Sequence, residues 1–410
     1  MIIIKHPAIK ILINLTLLIL FFSCTKNENP PVEPTPVTPA LPQFPVIDYV
    51  FKNGTEGYAC FRIPAIIKTP GGDLLAFAEA RLNNCDDNGN IDLVMKRSTD
   101  KGKSWTSLIV LVDNGNYKAA SPAPVVDFYD PNYREGRIFL LYNTITDYKN
   151  ASGSIKRVTE SWYKTSTDGG NTWQQAANIT TQVHRPNAPE YNAQYDFADS
   201  WSSSINTPGH ALQLQRGINK GRIYVAANHA FTSTVTDYSN YRSYGYFSDD
   251  HGNTWHKSDD IDIPGGNEST AAELSDGTLL QNSRYQNTLG IKRRILAISK
   301  TFGESWEPAF ISDELVDPIC QGSMIDVEYN GKHILLFSNP ASETKRERMT
   351  ISVSKNNGLN WPLSYVVDND IAAYSDLVAL EQQNIGLIYE RGNTGGIVFK
   401  LIKLAEILKE

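Results

Sequence analysis

The sequence has little of what several protein classes require. Only four of its 410 residues are cysteines, and the three beyond position 24 are an odd number, which excludes a full disulfide framework. Lysine and arginine form no basic stripe, and the net charge is −7 at pH 7, which argues against a nucleic-acid partner. No group of His, Cys and Asp has metal-ligand spacing, and no glycine-rich loop suggests phosphate binding. We therefore expect neither a metal nor a cofactor.

The three later cysteines, Cys60, Cys85 and Cys320, leave two redox states open. A Cys60–Cys85 bridge would form in an oxidising compartment. Free cysteines, in contrast, are among the residues most often buried. Of the two, the sequence favours free buried thiols.

A long hydrophobic run is also absent. The longest mainly apolar segment, Ile11 to Phe22, has 12 residues, whereas a membrane-spanning helix needs about 20. Residues 1–24 resemble a bacterial lipoprotein signal peptide, in which Cys24 would be the lipidated first residue of the mature protein. The alternative is an ordinary secretory signal with an unrelated cysteine. The first prediction implies an exported lipoprotein, tethered to the outer membrane or cell surface or facing the periplasm, with Cys24 as its only membrane contact.

The rest of the chain divides into a linker and one folded region. Residues 25–45 are rich in proline, which is typical of a semi-rigid spacer. From residue 46 to residue 410 the pattern is one of short alternating strands separated by Gly, Asn and Asp turns. Only the final "LAEILKE" segment has a helical pattern, and no βαβ alternation occurs. The sequence therefore predicts an all-β domain over 46–410.

An internal repeat has the pattern Ser-x-Asp-x-Gly-x-[Ser/Thr]-Trp. Three full copies and two decayed ones are spaced by 64 residues on average and begin at Ser98, Ser166, Ser248, Ser299 and Ser354. Asp and Ser oxygens accept hydrogen bonds from turn N–H groups, Gly adopts positive φ, and Trp packs on a neighbouring strand. About six such units fit into residues 46–410, which predicts a six-bladed β-propeller with four-stranded antiparallel blades. The aspartates of the repeat are assigned to turns, not to catalysis.

The octapeptide resembles the Asp-box of sialidases, and other residues extend this resemblance. Arg62 interrupts the apolar stretch "GYACFRIPAII" and belongs to a Phe-Arg-Ile-Pro motif. An Asp, a Glu, two Arg and a Tyr follow in an order similar to that of bacterial exo-α-sialidases, over about residues 46 to 405. The resemblance implies that Arg62, Arg284 and Arg346, the arginine triad, bind the carboxylate of sialic acid. Guanidinium groups suit this role because they bind carboxylates bidentately and remain charged.

For two of the implied roles, the third arginine of the triad and the catalytic acid, the sequence offers two nearby candidates each. Arg348 lies beside Arg346, but the family pattern places Met-Thr three and four residues after the binding arginine, which selects Arg346. The resemblance also implies an Asp in the loop "RLNNCDDNGNID" as acid and base, and the following strand favours Asp87 over Asp86. Three converging positive charges imply an anionic ligand and a partly wet empty site.

The resemblance implies further roles. Tyr374 matches the nucleophile and Glu268 its general base, whereas the nearby Glu273 is expected to be structural. A neutral phenol avoids the repulsion that a carboxylate nucleophile would meet beside the substrate's own carboxylate. Arg81 matches an arginine beside the acid, and Glu390 matches the residue that orients Arg62. The candidates for the pocket around the glycerol and N-acyl groups are Asn228 and His229.

The resemblance implies an exo-α-sialidase (neuraminidase), which we expect to be a monomer. It would hydrolyse terminal α-linked sialic acids from glycoproteins, glycolipids and oligosaccharides, with retention, through a covalent intermediate on Tyr374. One alternative is trans-sialidase or intramolecular sialyl transfer on the same scaffold. The other is a non-catalytic Asp-box propeller that binds glycans or proteins.

Overall fold

The structure is a computed structural model and describes residues 48–232, 238–393 and 395–410. The predicted signal peptide, Cys24 and the linker 25–45 lie outside the described residues. Within the described part, no helix is long and apolar enough to cross a membrane.

Twenty-four strands and two short helices make up the described residues. The first nine strands are β1 Tyr49–Lys52, β2 Cys60–Lys68, β3 Leu74–Arg81, β4 Ile91–Ser98, β5 Ile109–Val112, β6 Lys118–Asp127, β7 Arg137–Lys149, β8 Ile155–Ser166 and β9 Ala177–Asn178. The next nine are β10 Ser203–Asn206, β11 Leu212–Gln213, β12 Ile223–Ala230, β13 Tyr241–Ser248, β14 His256–Lys257, β15 Gly266–Glu273, β16 Leu279–Tyr285, β17 Arg293–Ser299 and β18 Phe310–Val316. The last six are β19 Ser323–Tyr329, β20 Lys332–Pro340, β21 Glu347–Ser354, β22 Leu363–Leu380, β23 Asn384–Arg391 and β24 Gly396–Lys403. The helices are α1 Thr180–Val183 and α2 Leu404–Leu408.

These strands confirm the all-β prediction, and α2 confirms the predicted C-terminal helix, although α1 was not expected. Among the described residues the strands form four sheets of eight, five, four and seven strands. Neighbouring strands are antiparallel apart from one parallel contact between β4 and β6, where Ile91 lies opposite Lys118. Because the sheets are four and not six, the six-bladed arrangement stays a prediction.

The core lies between the sheets. Strand β3 is buried along its whole length, as expected for a strand covered on both faces. Phe61 of β2 and Val94 of β4 share one hydrophobic cluster with Ile388 of β23 and Ile397 of β24. The first and last large sheets therefore pack against each other.

The first Asp-box shows how the repeat builds a turn. Asp100 accepts hydrogen bonds from the backbone N–H and the hydroxyl of Ser104 at 2.9 and 2.6 Å. Ser98 Oγ accepts the N–H of Gly102 at 2.8 Å. Gly102 has φ +85°, and a Cβ there would lie 2.2 Å from the ring of Phe399. The carboxylate of Asp100 is thus engaged in hydrogen bonds within the turn, as predicted. Only glycine fits at the fifth position of the octapeptide.

The decayed copies preserve the same hydrogen bond with other side chains. Thr301 Oγ1 accepts the N–H of Ser305 at 2.8 Å, and Asn356 Oδ1 accepts the N–H of Asn360 at 3.1 Å. Each replacement supplies a neutral oxygen where the full copies have a carboxylate. The repeat therefore conserves an acceptor position and not a charge.

Asp376 of β22 is a fully buried carboxylate that joins several sheets. It accepts the backbone N–H of Ile66 in β2 at 2.8 Å and the hydroxyl of Ser323 in β19 at 2.7 Å. It also bonds to the N–H and to Nδ1 of His210, at 3.0 and 2.7 Å. Buried carboxylates are stable only when such partners replace water.

We expect Asp376→Ala to lower the free energy of unfolding by about 3–5 kcal/mol, because the donors it leaves behind are buried. Urea unfolding followed by tryptophan fluorescence measures this loss. Asp370→Ala is the matched control on the same strand: Asp370 is exposed and pairs with Arg391, so its loss should cost about 1 kcal/mol or less. Equal losses in the two variants would contradict the role of Asp376.

Candidate active site

Arg62 projects from an irregular stretch of β2. The pairing of β2 with β3 shifts between Arg62 and Ala65, and Ile63 between them has φ +61°. Pro64 lacks an N–H, which is tolerated at such a bulge. The freed N–H of Ile63 donates to Glu390 Oε1 at 2.8 Å. The local sequence thus turns Arg62 out of the regular ladder and toward Glu390.

Glu390 is the standing partner that the sequence predicted for Arg62. The Nε and Nη2 atoms of Arg62 each lie 3.2 Å from a different oxygen of the Glu390 carboxylate. The charge of Glu390, the largest influence, raises the pKa of Arg62 above its ordinary value although burial lowers it. About a fifth of the Arg62 side chain stays exposed, at 22%. Its Nη1 has only a long contact of 3.5 Å, with the exposed carboxylate of Asp87, so this side of the charged guanidinium can bind an external anion.

Tyr374, Glu268 and Arg284 form a hydrogen-bonded triangle. The phenol of Tyr374 donates to Glu268 Oε1 at 2.5 Å. Arg284 Nη1 donates to Glu268 Oε2 at 2.7 Å and to the Tyr374 oxygen at 3.3 Å. The three residues come from β22, β15 and β16, and the predicted nucleophile therefore lies within proton-transfer distance of its predicted base.

Burial is the main reason why the pKa of Tyr374 is raised well above its ordinary value. The negative charge of Glu268 raises this pKa further, while Arg284 and Arg346 oppose the rise. The phenol is therefore neutral in the empty site. It becomes a good nucleophile only if its proton moves to a base as it attacks.

Arg346, and not Arg348, lies beside Tyr374. The guanidinium carbons of Arg62 and Arg346 lie 5.3 and 5.6 Å from the centre of the Tyr374 ring. Arg346 Nη2 donates to the carbonyl of Ile319 at 3.0 Å. Arg348 is exposed and has φ +60°. The structure thus brings the whole arginine triad around one tyrosine.

The strands that carry this cluster all have irregular pairing. The register shifts lie between Arg62 and Ala65 in β2, between Gly266 and Ser269 in β15, between Glu347 and Met349 in β21, and between Ala372 and Ser375 in β22. Bulges bend a strand and change the direction of a side chain, and they are common next to active sites. The cluster is therefore built from irregularities that strand patterns alone do not reveal.

Asp87, in the loop between β3 and β4, is the acid that contacts the cluster. Its Oδ1 lies 2.8 Å from Arg81 Nη1 and 3.5 Å from Arg62 Nη1. Desolvation would raise the pKa of Asp87, but Arg81, Arg62 and Lys118 outweigh it and lower the pKa. Asp86 instead accepts a hydrogen bond within its own loop. The geometry favours Asp87 over Asp86, as the resemblance implied.

Sequence reasoning missed Glu79, a buried carboxylate of β3. Its oxygens accept from Arg81 Nη2 at 2.8 Å and from the backbone N–H of Ser121 at 3.1 Å. Burial raises the pKa of Glu79, but Lys118 and Arg81 outweigh it and lower the pKa. The carboxylate of Glu79 thus holds the guanidinium of Arg81 in place. The signal was present in "LLAFAEAR", where two charges interrupt an apolar strand as Arg62 interrupts its own.

A second missed support is the connection between β18 and β19. The side-chain amide of Gln321 donates to the carbonyl of Ser375 and accepts its N–H, both at 3.0 Å. Arg294, which is fully buried, donates to Asp317 and to the carbonyl of Cys320, both at 2.6 Å. Through these bonds the connection fixes the backbone next to Tyr374. As expected, Cys320 is free and buried.

The sequence-based preference for free thiols at Cys60 and Cys85 is wrong. The structure has a disulfide between them, with the Cα atoms 5.2 Å apart. Cys60 lies opposite Arg81 in the β2–β3 pairing, and the loop after β3 folds back toward it. The path of that loop, which composition does not indicate, brings the two cysteines together.

Asn228 and His229, the candidates for the glycerol and N-acyl pocket, lie in β12 and form hydrogen bonds to Ile205 and Asp260. The His229 ring is fully buried, stacks on Trp201 at 3.7 Å, and bonds to Asp260 through Nε2 at 2.9 Å. Asn228 donates to the carbonyl of Ile205 at 3.4 Å. Both side chains serve the packing of β12 with its neighbours. Glu273 is structural as expected, because it accepts the backbone N–H groups of Gln215 and Arg216 in the loop between β11 and β12.

One group of donor atoms among the described residues lies close enough to suggest a metal. It consists of Asp127, Asp130 and His251. However, Arg137 pairs with Asp130 at 2.9 Å, and His251 Nδ1 bonds to Asp127 at 2.8 Å. The arginine already supplies the positive charge that a cation would bring.

The arrangement at Tyr374 allows a defined chemistry. A cavity of about 250 Å³ lies beside the cluster and is lined by Arg62, Arg346, Glu390 and the disulfide, although Tyr374 itself is not part of its lining. Three guanidinium groups can bind a carboxylate, a neutral phenol with an adjacent carboxylate can act as a nucleophile, and a second carboxylate can exchange a proton with a leaving group.

Comparison with known proteins gives a consistent family. The family of BNR repeat-like domains matches residues 72–388. A sialidase of Micromonospora viridifaciens is 33% identical over 372 residues, covering 86% of this chain and 53% of the relative. A sialidase of Bacteroides fragilis strain YCH46 is 26% identical over 389 residues, covering 87% of this chain and 64% of the relative. The chain thus spans about half to two thirds of the length of these relatives.

A solved structure is similar as well. The Hadza microbial sialidase Hz136 superposes with a TM-score of 0.71 at 25% identity, over 86% of this chain and 68% of that one. The all-β architecture described above therefore matches that of a sialidase structure.

Proposed function

The chain belongs to the BNR repeat-like family and groups with the bacterial sialidases, and from this premise we propose that it is an exo-α-sialidase acting on terminal sialic acids of glycans. The observation that carries the proposal is the 2.5 Å hydrogen bond from Tyr374 to Glu268, surrounded by the arginine triad. No cofactor is required by this chemistry.

In the proposed mechanism the arginine triad first binds the substrate carboxylate. Arg62 keeps Glu390 as its partner, and Arg284 keeps Glu268, so the triad is partly neutralised before substrate arrives. The substrate carboxylate supplies the remaining negative charge. This fixes the anomeric carbon, to which that carboxylate is attached, near the phenol of Tyr374.

The first chemical step forms a bond between the Tyr374 oxygen and the anomeric carbon while the glycosidic bond breaks. The phenol proton passes to Glu268, and protonated Asp87 gives its proton to the leaving oxygen. In the second step Asp87 takes a proton from water, which attacks the anomeric carbon and releases the phenol, and Glu268 returns its proton. Two displacements at one carbon give net retention, and sialidases with a tyrosine nucleophile are a known exception among retaining glycosidases.

The low pKa of Asp87 in the empty site fits this sequence of events. Arg62 contributes to that low pKa. A substrate carboxylate bound to Arg62 partly cancels this positive field and so raises the pKa of Asp87 toward the range useful for an acid. Substrate binding would therefore help to protonate the acid that the first step needs.

We expect Asp87→Asn to lower kcat/KM for sialyllactose by about 10²–10⁴-fold, because the leaving alkoxide then departs unprotonated. Asp86→Asn is the matched control, since it changes the adjacent residue and touches neither arginine, and its activity should stay close to wild type. Steady-state kinetics of both variants measures this. Equal losses would reverse the assignment of the two aspartates.

Product analysis tests the proposed function. The purified protein is incubated with 3′-sialyllactose, and proton NMR follows the released sugar. We expect free sialic acid that appears first as the α-anomer. An initial β-anomer contradicts retention. A sialylated product formed on adding isotopically labelled lactose, or an intramolecular product, supports transfer instead, and binding without turnover supports a non-catalytic propeller.

We also propose that the strands form six blades of a propeller. They group into six antiparallel sets: β2–β5, β6–β9, β10–β14, β15–β18, β19 to the first half of β22, and the second half of β22 to β24 with β1. Strand β22 serves two sets, since its first half pairs with β21 and its second with β23. The pairing of β1 with β24 supports closure between the two ends of the domain. An experimental structure with fewer blades would refute this.

For the N-terminal region we propose a lipoprotein signal peptide over 1–24, lipidation of Cys24, and a spacer over 25–45 that separates a monomeric enzyme from the membrane or cell surface. The sequence pattern described above supports this. Mass spectrometry of the mature N-terminus tests it, and an unmodified N-terminus beyond Cys24 would refute lipidation.

A further inference from the structure

The loop that bears Asp87 has few packing contacts. Residues 82–89 are all exposed, and the Asp87 side chain is 70% exposed. Two long side chains reach the loop by hydrogen bonds, Lys118 to the carbonyl of Asp87 at 3.2 Å and Arg157 to Asn88 at 3.3 Å. Such bonds to exposed groups contribute little net stability. A further constraint on the conformation of the loop is needed if Asp87 is to stay close to the leaving oxygen of the substrate.

The disulfide restrains the loop covalently, close to Asp87. Cys60 is buried in β2 and lies two residues before Arg62. Cys85 lies in the loop, two residues before Asp87. The bridge therefore joins the strand that binds the substrate carboxylate to the loop that carries the acid.

Arg81 connects the bridge to the carboxylate of Asp87. A single nitrogen, Arg81 Nη1, lies 2.6 Å from the carbonyl of Cys85 and 2.8 Å from Asp87 Oδ1. Glu79 fixes the other arm of this buried guanidinium at 2.8 Å. The backbone at Cys85 and the carboxylate of Asp87 thus share one donor, and they are only two residues apart, so a shift of the Cys85 backbone also shifts the carboxylate of Asp87 relative to Arg81.

We propose that the Cys60–Cys85 disulfide is a positioning element for the acid Asp87, which it places against Arg81 and beside the bound substrate. This rests on the proposed sialidase function. It assigns to the two cysteines an effect on proton donation and not merely on folding. Without the bridge, the loop samples more conformations, and a smaller fraction of them places Asp87 at the leaving oxygen.

The test compares two leaving groups. The lactose of sialyllactose leaves as a basic alkoxide, so its departure depends on the acid. The 4-methylumbelliferyl group of the aryl sialoside leaves as a stabilised phenolate and depends on the acid little. We expect Cys60→Ala/Cys85→Ser to lower kcat/KM for sialyllactose about tenfold more than for the aryl sialoside, a part of the about 10²–10⁴-fold that a general acid contributes. A merely structural role would lower both values equally.

Dithiothreitol treatment gives a second measurement that needs no variant. Reduction of folded wild type should change the ratio of the two kcat/KM values in the same direction. The double variant treated identically should not change, which separates this bridge from the buried thiol Cys320. Melting temperatures measured in parallel show that the assayed protein is folded.

The outcomes are distinguishable. An active wild type whose ratio is unchanged by both reduction and mutation overturns this proposal alone. A wild type that cleaves neither sialoside contradicts the proposed function and this proposal with it. A selective loss on sialyllactose in either experiment supports the positioning role.

Discussion

Tyr374→Phe should lower kcat by about 10³-fold or more while the protein stays folded, because the variant loses the oxygen that forms the covalent bond. The ring, which packs with Ile63 and Cys320, is unchanged. Binding of a sialic acid analogue should persist, since the arginine triad is intact. Steady-state kinetics and a binding titration measure the two effects separately.

Tyr195→Phe is a matched control for this variant. Tyr195 is also buried and donates to a carboxylate, Glu160, at 2.5 Å. Its loss removes a hydrogen bond of the same kind at a place without chemistry, so activity should stay close to wild type. Full turnover by Tyr374→Phe would remove the nucleophile from the mechanism.

The arginine triad gives the second large effect. Arg346→Ala should lower kcat/KM by about 10²–10⁴-fold, since hydrogen bonds to a charged group contribute about 1.5–3 kcal/mol each and a guanidinium makes two. The loss should appear mainly in KM, because the substrate carboxylate is bound both before and during the reaction. Arg346→Lys should recover part of it, because the charge remains.

Arg348→Ala is the control that the sequence itself provides. Arg348 lies two residues further along the chain and is exposed. Its replacement should leave KM nearly unchanged. A larger effect at Arg348 than at Arg346 would show that the wrong arginine has been assigned to the triad.

Much of the site could be predicted because it depends on side-chain chemistry. Arg62 and Glu390 are 328 residues apart, yet the misfit of a charge in an apolar strand and the family resemblance together identified both. The Asp-box turns were predictable for a simpler reason: their hydrogen bonds span four residues, so local sequence determines them.

The rest could not be predicted because it depends on the path of the backbone. Ile319 and Cys320 act through carbonyl oxygens, to Arg346 and Arg294, and any residue supplies a carbonyl. The disulfide depends on how an exposed loop folds back. The stacking of His229 on Trp201 likewise depends on how separate segments come together in space, which the residue type alone does not indicate.

The central claim is that Tyr374 forms the covalent bond, and trapping the intermediate tests it most directly. A 2,3-difluorinated sialic acid slows both displacements, and a good leaving group lets the first proceed, so the labelled enzyme can be digested and sequenced by tandem mass spectrometry. The account predicts a single sialyl adduct on Tyr374, absent from Tyr374→Phe. An adduct on Glu268 or on another carboxylate, with Tyr374 unmodified, would contradict it.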